Sequence, residues 1–204
     1  MKDINQVIKN RYNRVSSIYD VMDKMIKNNW RNELIGQVQG KVLEVGVGTG
    51  ANLAYYPSEA EVTGIDFSSG MLKKAREKLE ELENRKTIEL VEMDAQELEF
   101  PDDSFDFIIS TCVYCSVPDP VKGFQEMRRV CKPEGKILML EHMRSDNPVM
   151  GSLMDVSNPL VVKLWGANIN RRTLDNIQNA GLKIDTNEKL MGTIMRKLVL
   201  KPNK

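Results

Sequence analysis

Histidine is almost missing from this chain, and so is any long apolar run. His142 is the single histidine in 204 residues. No apolar stretch approaches the roughly 18–20 residues of a membrane-spanning helix. No secretory signal precedes the first charged residues, so a cytoplasmic protein is expected. Three cysteines, an odd number in a chain this long, do not suggest a disulfide framework and fit a reducing compartment. Excess positive charge is missing too: 29 Lys/Arg balance 29 Asp/Glu and the pI is near 6.6. With no basic stripe interleaved with aromatics, nucleic acid is excluded as a partner. Internal repeats, linkers and low-complexity segments are also lacking. What remains, 41% hydrophobic and 28% charged, suits one globular unit over residues 1–204 with a sizeable core.

The neutral total hides a segregation. Residues 1–40 carry a net +3, residues 41–141 a net −8 and residues 142–204 a net +5. Two basic ends flank an acidic centre. Solvated surface is the plain reading; the sharper one is that the ends meet over a pocket and face an anionic substrate or the inner face of an anionic membrane.

Residues 4–35 place Ile4, Val7, Ile8, Tyr12, Val15, Ile18, Tyr19, Met22, Met25, Ile26 and Trp30 at helical spacing. The stripe is methionine-rich, and Lys9, Arg11, Arg14, Lys24, Lys27 and Arg31 make it basic, as suits an adaptable lid or an interfacial helix. From Lys41 the pattern alternates. Strands are expected at 41–46, 61–66, 88–93, 105–110 and 136–141. Helices are expected near 51–56, from Ser68 or Ser69 to Glu83, and over 121–131. Residues 143–171 break the rhythm and are too long for a plain loop, so they are expected to be functional or partly helical. A helix over 172–180 and an antiparallel strand pair at 182–187 and 193–200 close the chain. The fold expected is therefore α/β, Rossmann-like and doubly wound. It has a mostly parallel seven-stranded sheet, an antiparallel C-terminal edge pair, an N-terminal helical lid and an insertion after strand 5. Its parts are a lid (1–40), a cofactor-binding core (41–142), a substrate-cap insertion (143–171) and a C-terminal helix and strand pair (172–204).

Ligands of such sheets sit outside the carboxyl ends of the strands. There the chain has Gly46-x-Gly48-x-Gly50, a strand running into a turn with glycine at every second position. Such a turn lets backbone amides approach a nucleotide-like ligand. Glu44 lies inside the motif, Asp66 ends the second strand where a carboxylate can accept ribose hydroxyls, and Asp94 ends the third, where it can accept from an adenine amino group. The looser pattern Gly46-x-Gly48-x-x-Ala51 also satisfies a dinucleotide fingerprint. Glu44 and the acidic centre, however, repel a pyrophosphate and favour an adenosine with a cationic tail.

Taken together, Leu43–Gly50, Gly64-Ile65-Asp66-Phe67-Ser68, Met93-Asp94-Ala95, Phe100–Asp106 and Arg129–Gly135 resemble the class I S-adenosylmethionine-dependent methyltransferases of the methyltransferase type 11 group, over essentially the whole chain. Glu134 departs from the glycine found in many relatives. Val15–Asp20 resembles quinone C-methyltransferases and bacterial phosphatidylethanolamine N-methyltransferases. Cys115-Ser116-Val117, Glu141-His142 and the 143–171 insertion, including Gly166–Arg171, resemble membrane-associated thiol methyltransferases, the branch to which the chain reads as a bacterial relative.

The resemblance implies S-adenosylmethionine as cofactor and S-adenosylhomocysteine as product. It implies that Gly46, Gly48 and Gly50 approach the methionine moiety, with Glu44 and Asn52 in the same group. Asp66 would take the ribose and Phe67 would pack on adenine. Asp94 and Ala95 would read the adenine edge, and Thr111 and Cys112 would sit near the sulfonium. Tyr19 is a candidate to close the lid, and His142 a candidate to orient or deprotonate an acceptor, against the plainer reading of a structural hydrogen-bonding partner. Cys112-x-x-Cys115 lacks the further ligands a structural zinc needs, so no metal is expected; Cys115, Tyr114 and Trp165 are candidates to line an acceptor pocket. The function expected is methyl transfer by in-line displacement to a small or lipidic acceptor: a phospholipid amine, a thiol or a quinone. The rivals are an NAD-dependent oxidoreductase and a non-catalytic S-adenosylmethionine-binding protein.

Overall fold

Glycine and proline punctuate the chain closely enough to cut it into short strands and helices. The computed structural model describes residues 26–82 and 87–204, and all but the side chain at 165. In chain order these form α1 (Asn28–Ile35), β1 (Gly40–Val45), a 3-10 turn (Leu53–Tyr55), β2 (Ala60–Asp66), α2 (Ser69–Glu80) and β3 (Ile88–Glu92). Then come β4 (Phe105–Thr111), α3 (Pro120–Val130), β5 (Cys131–His142), α4 (Pro148–Trp165), α5 (Thr173–Asn179), β6 (Lys183–Met191) and β7 (Met195–Lys201). The expected helix over 4–35 falls within the described residues only at α1, and Tyr19 lies outside them.

Seven strands make one sheet in the order β3-β2-β1-β4-β5-β7-β6. β1 pairs in parallel with β2 and β4, β2 with β3 and β4 with β5. β7 runs antiparallel to both β5 and β6. The chain winds outward from β1 in one direction and returns to β4 in the other, so the crevice between β1 and β4 is the switch point where ligands of such sheets bind. Period-2 alternation fills both faces. Leu43 and Val45 join Ile108, Ile137, Met139 and, from α3, Phe124 and Met127 in one apolar cluster. Val42, Ile109, Leu138 and Leu140 join Trp30 and Leu34 of α1 and Leu72 and Ala75 of α2 in the other.

Two expectations change, and a third, that residues 143–171 are partly helical, takes definite form. The helix near 51–56 is a single 3-10 turn, because Pro57 leaves no room for a second turn. β5 begins at Cys131 rather than 136: Phe105 pairs with Cys131 and Phe107 with Lys136 across a bulge, so Pro133-Glu134-Gly135, which reads as a turn, is absorbed into the ladder. The 143–171 insertion is mostly one helix. The Asn147 side chain caps α4 by accepting from Val149 N at 3.0 Å and Met150 N at 3.1 Å. Pro159 lies within the helix, and Gly166 ends it in the left-handed region (φ 85°).

Candidate active site

A cavity opens at the carboxyl ends of β1, β2, β3 and β4, with about 750 Å³ of free space including its mouth. Gly46, Gly48, Asp66, Phe67, Asp94, Ala95 and Cys112 all line it, brought together from four turns spread over 67 positions of sequence. Gly46 needs to be glycine twice over. Its φ is +73°, and a Cβ there would lie 2.4 Å from Val113 Cγ2, so the loop after β4 lies directly on the turn after β1.

Asp66 is the most constrained wall group. Its Oδ2 accepts from Gly48 N at 2.9 Å and its Oδ1 from Ser68 N at 2.8 Å. Burial nevertheless pushes its pKa up to about 6, against the lowering effect of those amides. A carboxylate has about four acceptor positions, so the amides that hold it leave room for a hydroxyl donor from the cavity. Asp94 is held differently: its carboxylate accepts from Gln96 N at 2.8 Å and from Gln96 Nε2 at 3.0 and 3.1 Å. Gln96 Oε1 in turn accepts from Asp119 N at 2.9 Å, tying the wall after β3 to the start of α3.

Glu44, Asn52 and Thr111 meet one another rather than the cavity. Asn52 Nδ2 donates to Glu44 Oε1 at 2.8 Å and to Thr111 Oγ1 at 2.9 Å, and Tyr56 donates its hydroxyl to Glu44 Oε2 at 2.9 Å. Arg31 Nε donates to Asn52 Oδ1 at 2.9 Å. These groups form a buried floor beneath the glycine turn. Desolvation raises the Glu44 carboxyl to about 7, with Asn52, Tyr56 and Arg31 pulling the other way. Arg31, expected on a basic lid face, is thus a buried partner of the floor. Gly50 is a packing residue: a Cβ would meet Leu53 at 2.8 Å and the Ala75 backbone at 3.1 Å, so it lets α2 close on the turn.

The remaining candidates stand elsewhere. His142 ends β5 opposite Met195, outside the cavity wall, and burial lowers its pKa. Cys115 is buried, its Sγ donating to Cys112 O at 3.4 Å; burial pushes its thiol up to about 11, so it is an inert packing group and not a pocket wall. Tyr114 is fully buried and stacks on Phe124 at 3.8 Å between centroids, which places it in the core under α3. None of the three cysteines forms a disulfide. No cluster of metal-ligating side chains occurs among the described residues.

The residues missed from sequence are Gln96, Ser68, Met71, Met93 and the stretch Ser116-Val117-Pro118, all in the cavity wall. Only Ser68 had left a signal, as a helix cap; it accepts from Met71 N at 3.2 Å. The wall after β4 is held from below by Glu141, whose Oε1 accepts from Ser110 Oγ at 3.2 Å, Val113 N at 3.1 Å and Tyr114 N at 3.4 Å. From the side, Asn168 N donates to Cys115 O at 2.8 Å and Arg171 to Val117 O at 2.8 Å. The insertion therefore braces the loop that forms the far wall.

A carboxylate placed for a diol, a second acid beyond it and a wall free of Lys and Arg fit S-adenosylmethionine: neutral adenosine at one end, a sulfonium at the other. Residues 43–139 match the family model described as a methyltransferase domain. The chain is 41% identical over 133 residues to a phosphatidylethanolamine N-methyltransferase of Cereibacter sphaeroides, covering 64% of this chain and 66% of that one. It is 34% identical over 180 residues to a demethylmenaquinone methyltransferase of Desulfitobacterium hafniense, covering 80% and 71%. The chain thus spans about two thirds of the length of the curated relatives it matches. A Haemonchus contortus phosphoethanolamine N-methyltransferase, solved with S-adenosylhomocysteine, superposes with a TM-score of 0.62 at 23% identity, over 78% of this chain and 39% of that one.

Proposed function

The chain belongs to the S-adenosylmethionine-dependent methyltransferase family, and on that premise we propose that it methylates the amine of an ethanolamine phospholipid at the cytoplasmic face of a membrane. The cofactor supplies a methyl on a sulfonium, a leaving group good enough that the protein need mainly align the acceptor and exclude water. Asp66 receives the ribose hydroxyls, and Phe67 packs on adenine. Asp94 and Ala95 read the adenine edge, and Gly46 and Gly48 give the amino-acid end close access to the backbone. Cys112 stands by the sulfonium. The floor of Glu44, Asn52 and Thr111 holds the glycine turn in shape. The 143–171 insertion braces the acceptor side of the 41–142 core, and residues 172–204 complete the single unit.

The observation that carries the amine reading is the uncharged far wall, Cys112, Val113, Ser116, Val117 and Pro118. An ammonium group meets no cation there, and an amine sheds its proton to water before attack, so no general base is required. A quinone ring carbon does require its proton to be removed, and the described cavity wall offers only carboxylates already engaged by backbone and Gln96. The named phosphatidylethanolamine relative supports the amine as well, and three cysteines without a disulfide suit the cytoplasmic side. Label from methyl-labelled S-adenosylmethionine is expected in phosphatidylethanolamine when that lipid, a demethylated quinone and an alkyl thiol are offered in parallel. Label in the quinone or the thiol alone would sink the amine assignment.

A further inference from the structure

α4 rests on the protein through Gly151 and Met154, which are buried, and is tied to it by polar side chains at the rim: Asp155 accepts from Arg144 at 2.8 Å and from Asn170 at 3.0 Å. Asn158 donates to Asn168 Oδ1 at 3.2 Å and accepts from Ile169 N at 2.9 Å. Its aliphatic side chains point out. Val149 and Val156 are 80% and 81% exposed, and Leu153, Leu160 and Leu164 are each 61% exposed. Steps of four, three, four and four put these five on one stripe, about 22 Å long at 1.5 Å per residue. Contiguous apolar surface of this kind marks an interaction site. We infer that the α4 stripe is the surface that seats this protein on an anionic lipid bilayer.

Charge selects the bilayer over other occupants. Asp155 is the only acid between 147 and 174, and Arg144 neutralises it. Lys163 is exposed in the last turn of the helix, and Arg172, also exposed, lies close enough to Asp155 to act on its charge. A second copy of the stripe would bring no acidic group to meet them, and residues 1–25 carry a net positive charge of their own. Anionic headgroups complement these cations while the aliphatic side chains enter the acyl boundary. The helix lies on the bilayer rather than crossing it, since no described helix is long and apolar enough to span. Docking here also serves the cavity. The segment after α4 braces the Cys115–Val117 loop, so the acceptor wall would face the lipid phase. The inference deepens the phospholipid reading and rests on it for its purpose.

The test uses the full chain and vesicles of phosphatidylglycerol with phosphatidylcholine, which lack the proposed acceptor, so that binding reports the surface alone. The wild-type chain is expected to co-sediment with them. Val156→Glu/Leu160→Glu is expected to lower partitioning at least about tenfold, while S-adenosylhomocysteine affinity and the denaturant midpoint stay at the wild-type level. Wild-type chain that does not sediment overturns the inference. So does a double variant that sediments like wild type, including the case where it only breaks a dimer seen by ultracentrifugation. Vesicle binding with no methylation of any ethanolamine lipid would instead sink the acceptor assignment and leave the surface standing.

Discussion

Asp66 shows how one side chain carries both structure and recognition. Gly48 N and Ser68 N hold its two oxygens, and the residue lines the cavity. Asp66→Asn is expected to weaken S-adenosylhomocysteine binding by about tenfold to hundredfold, the loss of about 1.5–3 kcal/mol that hydrogen bonds to a charged group contribute, measurable by calorimetry. The same group sets a pH dependence. Its carboxyl is raised to about 6, and hydroxyl donors prefer the ionised form. Affinity is therefore expected to hold above pH 6 and to fall by up to about tenfold per unit below it, with the Asn variant losing the dependence. Asp66, Asp94 and Gly46 were legible because strand-end carboxylates and strand-to-turn glycines have a place dictated by a parallel sheet. Glu44, Asn52 and Thr111 were readable as neighbours of the site but not as one another's partners. Residues 8 and 59 positions apart in sequence leave no local sign that they share a hydrogen-bonded floor.

At the scale of elements, the loop after β4 is the informative piece. It leaves β4 through Cys112 at φ +54°, lays Val113 against Gly46, and hangs from the Oε1 atom of Glu141. The other oxygen of Glu141 is buried without a partner, and burial raises the carboxyl to about 7, so a neutral side chain suits the site. Glu141→Ala is expected to cost about 1–3 kcal/mol in urea denaturation, because buried amides lose their acceptor. Glu141→Gln, which keeps a carbonyl oxygen, is expected to cost less than half as much; equal losses would show that the loop does not depend on that acceptor. Nothing in the sequence around Glu141 marks this role, since its partners lie 27 to 31 positions earlier. α4 is the opposite case. Asn147 and Gly166 are sequence-visible caps, yet Pro148 and Pro159 obscured how far the helix between them runs, Pro148 tolerated at the first turn and Pro159 carried inside it.

Over the whole molecule, three buried carboxyls set the acid–base balance of folding. Glu44 and Glu141 are raised to about 7 and Asp66 to about 6, each chiefly by desolvation. In the unfolded chain such groups ionise near pH 4. Between about pH 4 and pH 7 the folded state therefore binds more protons than the unfolded state, and stability falls as pH rises through that window. His142 acts in the opposite sense below pH 6.5, but it is one group against three. Denaturant midpoints are expected to be lower at pH 7.5 than at pH 5.5, with Glu44→Gln narrowing the gap; a midpoint that rises instead would overturn this assignment of the buried acids. The sequence by itself determined the alternation of strands and helices, the parallel sheet and the end of it where the glycine turn, Asp66 and Asp94 lie, because hydrophobic period, turn chemistry and the handedness of crossovers act locally or follow from topology. Only the tertiary structure decided that Glu44 faces Asn52 and Tyr56, that Glu141 suspends the cavity wall, and that α4 leaves an aliphatic stripe exposed. Those outcomes depend on which distant side chains can satisfy a buried polar group, and chain spacing carries no record of that.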